Sequence, residues 1–161
     1  MNIEEMQAQR DADYEKYKAE GRIWGTVPRE KIARIQIPRT SKEVIDRYYA
    51  LEDMSTAVSD ILDTYGIHGA VPNTYLKPVK AGSRLVGTAV TVRSIPSRKT
   101  ATQGQRDKDK ILMSTKDIFY LGEAGDVLVS DFGGNLEYSN IGGQSCHLAK
   151  VRGFAGCIAY G

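Results

Sequence analysis

Cysteine is scarce in this chain: Cys146 and Cys157 are the only two in 161 residues. A small secreted domain held by disulfides carries more, and no CxxC pair offers a metal or redox site, so both read as reduced thiols. Long apolar runs are missing as well, none approaching the roughly 18 residues that suggest a membrane span. The opening stretch, "MNIEEMQAQRDADYEKYKAEGR", is charged where a signal peptide is apolar. These absences point to a cytoplasmic chain with no membrane partner. Neither charge is in clear excess: 22 basic against 20 acidic residues leave a formal +2. So balanced a total predicts no nucleic-acid partner, and any such partner needs local evidence. What is present is enough chain for one domain of common size, able to bury a core without disulfide or metal staples.

The residue pattern divides near Met54, with residues 1–53 reading as an N-terminal helical arm and 54–161 as an α/β domain. From Met1 to about Glu20 helix formers dominate without proline, yet Ile3, Met6, Tyr14 and Tyr17 make only a thin apolar stripe. Such a helix packs on another surface rather than filling a core. Further on, Thr40 and Glu43 have capping-box spacing ahead of Val44, Ile45, Tyr48 and Tyr49, which share one helical face, and Pro38 fixes the boundary. Two placements of the arm stand level: wrapped around a neighbouring subunit, or packed on its own domain.

After Met54 the rhythm changes. "STAVSDILDTYG" spaces Val58, Ile61, Leu62 and Tyr65 for a helix, with Ser55 as cap and Gly66 as terminator. "SRLVGTAVTVRSIP" alternates Val86, Thr88, Val90 and Val92 and predicts a strand. From about Gln103 to Gly122, Ile111, Leu112, Ile118 and Phe119 fit a helix, with a mobile loop as the alternative for the Lys and Asp run. "GDVLVSD" and "GFAGCIAYG" read as short buried strands separated by the helical "GGQSCHLAKVRG", a strand–helix–strand unit whose crossover should leave the strands parallel. Cys157, inside the second strand, reads as core.

Several motifs admit both a chemical and a structural reading. "DFGG" at Asp131–Gly134 resembles the kinase magnesium motif, but no Gly-rich phosphate loop or catalytic-loop signature accompanies it. Asp131 nevertheless ends an apolar strand, and ligands gather at the carboxyl ends of strands in open α/β sheets; a structural turn carboxylate is the alternative. Gly142 and Gly143 open a helix, where free N–H groups and the dipole favour a carboxylate or phosphate, unless the glycines only make a tight turn. Gln144 and Ser145 can donate to such an anion or cap the helix. His68 and His147 have no second ligand at metal spacing. Cys146 lies near that helix N-terminus, where a nucleophile is conceivable, but no base is identifiable beside it. The basic stretch from Arg93 to Lys110 suits RNA or an acidic partner, or a solvated loop; it lacks interleaved aromatics for base stacking.

"STAVSDIL", "GSRLVGTAVTVRS", "AGDVLVSDFGG" and "GGQSCHLAKVRGFAGCIAYG", in this order and spacing, resemble the RraA-like family from about Ser55 to Gly161. That family includes regulators of ribonuclease activity and class II aldolases acting on 4-hydroxy-4-methyl-2-oxoglutarate and 4-carboxy-4-hydroxy-2-oxoadipate. The resemblance implies a swivelling β/β/α sandwich, a homotrimer or hexamer, and a site between subunits. In the family's aldolases the turn matching Gly142, Gly143, Gln144 and Ser145 offers N–H groups to the pyruvate-like part of the substrate. A divalent metal, usually magnesium with manganese as the alternative, binds the 2-oxo acid and stabilises the enolate. The resemblance allows Asp131 a supporting role toward that metal or its water.

Two departures shape the functional expectation. Family aldolases carry an acidic residue where this chain has Gly143. Their Arg-Asp pair, which grips substrate and metal, is expected about three residues beyond Gly161, together with further strands. The fold is therefore expected to be incomplete at its C-terminus, with a companion polypeptide supplying the Arg-Asp end, or else truncated. The leading expectation is a metal-dependent lyase cleaving or decarboxylating a 2-oxo acid such as 4-hydroxy-4-methyl-2-oxoglutarate or oxaloacetate. The alternatives are a non-catalytic protein-binding regulator, which the loss of the acid at Gly143 favours, and a different reaction on a related acid.

Overall fold

The computed structural model describes residues 2–23, 27–96, 98–107 and 114–161. Three strands, β1 (Ala89–Arg93), β2 (Val127–Asp131) and β3 (Gly156–Tyr160), form one parallel sheet in the order β1-β2-β3. Val90 stands level with Leu128 and Cys157, and Arg93 with Asp131 and Tyr160, so all three strands deliver their carboxyl ends to one side. Helices α4 (Ala101–Arg106) and α5 (Ser114–Leu121) connect β1 to β2, and α6 (Gly143–Val151) connects β2 to β3. Parallel neighbours require such crossovers, because a tight hairpin can join only antiparallel strands.

Helices α5 and α6 share one face of the sheet. The core lies beneath them and joins Val92, Phe119, Leu128, Ala149 and Phe154, with Ile118, Ile141 and Leu148 packed against it. The rings of Phe119 and Phe154 meet edge to face, 5.6 Å between centroids and 80° between planes. Side chains of this kind contribute about 1.5–3 kcal/mol each when fully buried, so the cluster is the main apolar anchor of the sheet. The central strand β2 is buried along most of both faces, as its continuous apolar run predicts. β1 is shorter than the alternating pattern suggests: Val90 and Val92 are buried within it, but Val86 and Thr88 precede it. β3 is an edge strand, and the expectation that Cys157 is core is corrected, because its residue is exposed on that edge.

The remaining helices also adjust the sequence reading. Helix α1 (Ile3–Ala19) begins with a capping box in which Asn2 accepts from the Glu5 N–H and Glu5 accepts from the Asn2 N–H, each at 2.8 Å. Helix α2 (Lys42–Tyr49) takes Ser41 as N-cap rather than Thr40. The Thr40–Glu43 box does not form, because the Thr40 N–H donates to Thr88 Oγ1 at 3.1 Å and so joins the arm to the domain. Helix α3 (Met54–Thr64) takes Asp53 as its N-cap, two residues ahead of the expected Ser55. Its end follows expectation: Gly66 has φ +68°, its N–H reaches Asp63 O, and the Ile67 N–H reaches Leu62 O, the paired bonds of a Schellman motif. The single helix expected over 103–122 is instead two, α4 and α5; Ile111 and Leu112 lie outside the described residues.

The arm packs on its own domain. Tyr17 and Ile35 are buried, and the Arg39 guanidinium holds the buried Asp126 carboxylate, with Nη2 to Oδ2 at 2.9 Å. Asp126 also accepts from the Glu123 N–H at 2.8 Å. Three arginines converge on the carbonyls ending α5: Arg22 on Tyr120 and Leu121, Arg39 on Leu121, and Arg152 on Phe119 and Tyr120. Cations at a helix C-terminus satisfy its free carbonyls and complement its dipole. Two of these three side chains come from the arm, so α5 is completed by residues distant in sequence.

Candidate anion site at the start of helix α6

Gly142 is the N-cap of α6, extended at φ −96° and ψ 172°, and no side chain caps the helix. The first intrahelical bond runs from the Cys146 N–H to Gly142 O at 3.1 Å. The N–H groups of Gly143, Gln144 and Ser145 therefore have no partner among the described residues. Gln144 and Ser145 lie inside the helix, and neither side chain caps it.

The glycines are not demanded by the backbone. Neither Gly142 nor Gly143 has a left-handed φ, and a Cβ built on either meets no atom within 4 Å. The tight-turn explanation thus loses its physical basis, while the open space in front of the three N–H groups remains. A nine-residue helix with its positive dipole end uncapped and unobstructed is suited to a carboxylate or phosphate oxygen.

Asp131, at the end of β2, is committed to the chain itself. Its Oδ1 accepts from the Gly133 N–H at 2.8 Å, and its Oδ2 pairs with Arg93 Nε at 3.3 Å. Gly133 and Gly134 follow with φ +68° and +73°, and the Phe132 N–H donates to Tyr160 O at 2.9 Å. This carboxylate organises the turn that ties the end of β2 to the end of β3. Among the described residues no group of three or more His, Cys, Asp or Glu side chains could hold a metal ion. His68 and His147 are both exposed. The residues described here do not fit a magnesium or manganese site.

Both cysteines are free thiols. Partial burial, and then the neighbouring Cys146, push the Cys157 thiol above its ordinary pKa, which makes it the opposite of an activated nucleophile. The sequence reading missed the Arg39–Asp126 pair. Its one available signal was an acid placed directly before an apolar strand, in "GDVLVSD".

Fold and site together define a parallel α/β domain with an uncapped helix terminus ready for an anion near the carboxyl ends of its strands. Residues 55–161 match the RraA-like family, described as Aldolase/RraA, and the chain belongs to that family. No curated protein matches the chain. Among solved structures it is similar to an uncharacterized protein from Pseudomonas syringae pv. tomato str. DC3000, with 26% identity and a TM-score of 0.53. The match covers 77% of this chain and 49% of that one, so the chain spans about half the length of that relative.

Proposed function

We propose that the chain is part of a cytoplasmic carbon–carbon lyase acting on a 2-oxo acid, such as 4-hydroxy-4-methyl-2-oxoglutarate or oxaloacetate. The observation that carries this reading is the uncapped start of α6 in a member of the RraA-like family. The N–H groups of Gly143, Gln144 and Ser145 receive the carboxylate of the 2-oxo acid, and the absence of a Cβ at Gly142 and Gly143 lets it approach closely. Held there, the substrate is oriented for cleavage of the bond that releases pyruvate, and fixed orientation lowers the barrier by removing the entropy of encounter. A divalent metal, magnesium or manganese, takes its ligands from a companion polypeptide that carries the Arg-Asp motif. That polypeptide completes a swivelling β/β/α sandwich within a trimer or hexamer.

The direct test is pyruvate release from 4-hydroxy-4-methyl-2-oxoglutarate and from oxaloacetate by the native complex, with and without added magnesium. Gly143→Leu places a branched side chain in the open approach. It is expected to lower pyruvate release at least tenfold while leaving the melting temperature unchanged. Full activity of that variant would remove α6 from the site. The second reading, a non-catalytic regulator that binds other proteins, is favoured by Gly143 itself, which stands where the aldolases carry an acid. It predicts no pyruvate release from the native complex.

A further inference from the structure

The basic stretch after β1 has no part in the reading of α6, yet it walls a cavity of about 550 Å³. Residues 94–96 and 98–100 form one side of this cavity and residues from the Phe132–Asn140 turn form the other, where β1 and β2 give way to loops. A cavity of this size accommodates a small ligand. None of Gly142, Gly143, Gln144 and Ser145 lines it, and neither does any carboxylate among the described residues.

We propose that this cavity is a second binding site, separate from the start of α6, for an oxyanion carried on a small apolar body. The polar lining is biased towards donors. Thr100 Oγ1 accepts from the Gln103 N–H at 3.2 Å, which leaves its hydroxyl hydrogen to donate outward. Asn135 Oδ1 accepts from the Glu137 N–H at 2.8 Å, so its amide N–H groups are the part left over. Arg98 adds a guanidinium with no carboxylate partner among the described residues, and Lys99, bridged to Asp107 at 2.9 Å, adds a further cation. Hydroxyl, amide and guanidinium donors around one space outweigh the Asn140 Oδ1 acceptor left by its bond to Tyr138 O, and with Asp107 engaged by Lys99 they match a carboxylate or phosphate. Ile95, Phe132 and Tyr138 supply apolar surface for the rest of the ligand.

Isothermal titration of the purified protein with phenyl phosphate, benzoate and the neutral benzyl alcohol tests the site. At least one acid is expected to saturate at one equivalent per chain, and benzyl alcohol is not. Tenfold tighter binding of phenyl phosphate than of benzoate, with inorganic phosphate competing, identifies a phosphate ligand; parity identifies a carboxylate. Arg98→Ala should weaken the acid about tenfold or more without shifting the melting temperature, because charge-assisted hydrogen bonds are worth that much and the side chain is exposed. Arg98→Lys should recover part of the loss, and the Arg98→Ala loss should persist in a Gly143→Leu background, where the α6 terminus is obstructed, which separates this cavity from that terminus. No saturation by either acid, equal binding of benzyl alcohol, or full affinity in Arg98→Ala would each overturn the proposal.

Discussion

At the scale of single residues, the most consequential pair is Arg39 and Asp126. Asp126 is 2% exposed, and a buried carboxylate without a partner is strongly unfavourable. Burial by itself would lower the Arg39 pKa, but the hydrogen bonds and charge of Asp126 outweigh it and the guanidinium pKa is raised. The guanidinium therefore stays protonated across the physiological range, and the pair couples the arm to the sheet. Arg39→Ala should destabilise the fold by about 3–5 kcal/mol, because it leaves an uncompensated buried charge. Arg39→Met combined with Asp126→Leu should be far milder, since no charge is then stranded. Chemical denaturation of the two variants side by side measures the difference, and equal losses would show that the ion pair is not the origin of the effect. Neither residue was singled out from the sequence. An arginine 87 positions before its partner carries no local pattern, and only the folded chain brings the two together.

At the scale of elements, legibility followed the range of the forces. The end of α3 at Gly66 and the parallel β2–α6–β3 unit were readable because local chemistry decides them: a left-handed glycine closes a helix, and an apolar run of strand length flanked by glycines needs little else. The cap of α2 was misread because a tertiary bond to Thr88 claims the Thr40 backbone, which no local pattern reveals. Glycines flanking α6 show how identical residues serve different ends. Gly153, after the helix, has φ +77° and would set a Cβ 3.0 Å from the Ala124 Cβ, whereas Gly143 meets nothing. Gly153→Ala should therefore cost about 1–2 kcal/mol, the penalty of a left-handed backbone for an L-residue. Gly143→Ala should be neutral or stabilise by up to about 1 kcal/mol, by restricting the unfolded chain and favouring the helix. Urea titration of the two variants checks the contrast. A loss at Gly143 as large as that at Gly153 would restore the tight-turn explanation for the start of α6.

At the scale of the whole molecule, the two faces of the sheet are unequally covered. One carries α5, α6 and the aromatic core; the other turns Val127, Val129 and Ile158 towards a trough of about 610 Å³ bordered by α3, Gly69–Val71 and Leu85–Gly87. β3 pairs with β2 on one side only, and its burial is the lightest of the three strands. An apolar trough beside an open strand edge is a surface that proteins ordinarily cover. The companion polypeptide of the proposed lyase would cover this face and this edge. Native mass spectrometry of the complex purified from its own cells is expected to give an assembly whose mass is not a whole multiple of this chain. Denaturing spectra of the same sample should then resolve a second polypeptide, and the native mass divided by the summed masses of the two polypeptides should give the copy number of a trimer or hexamer. An assembly made of this chain alone would overturn the companion polypeptide. The lyase reading would then fail, and the same uncovered face would have to be understood as the docking surface of a regulator.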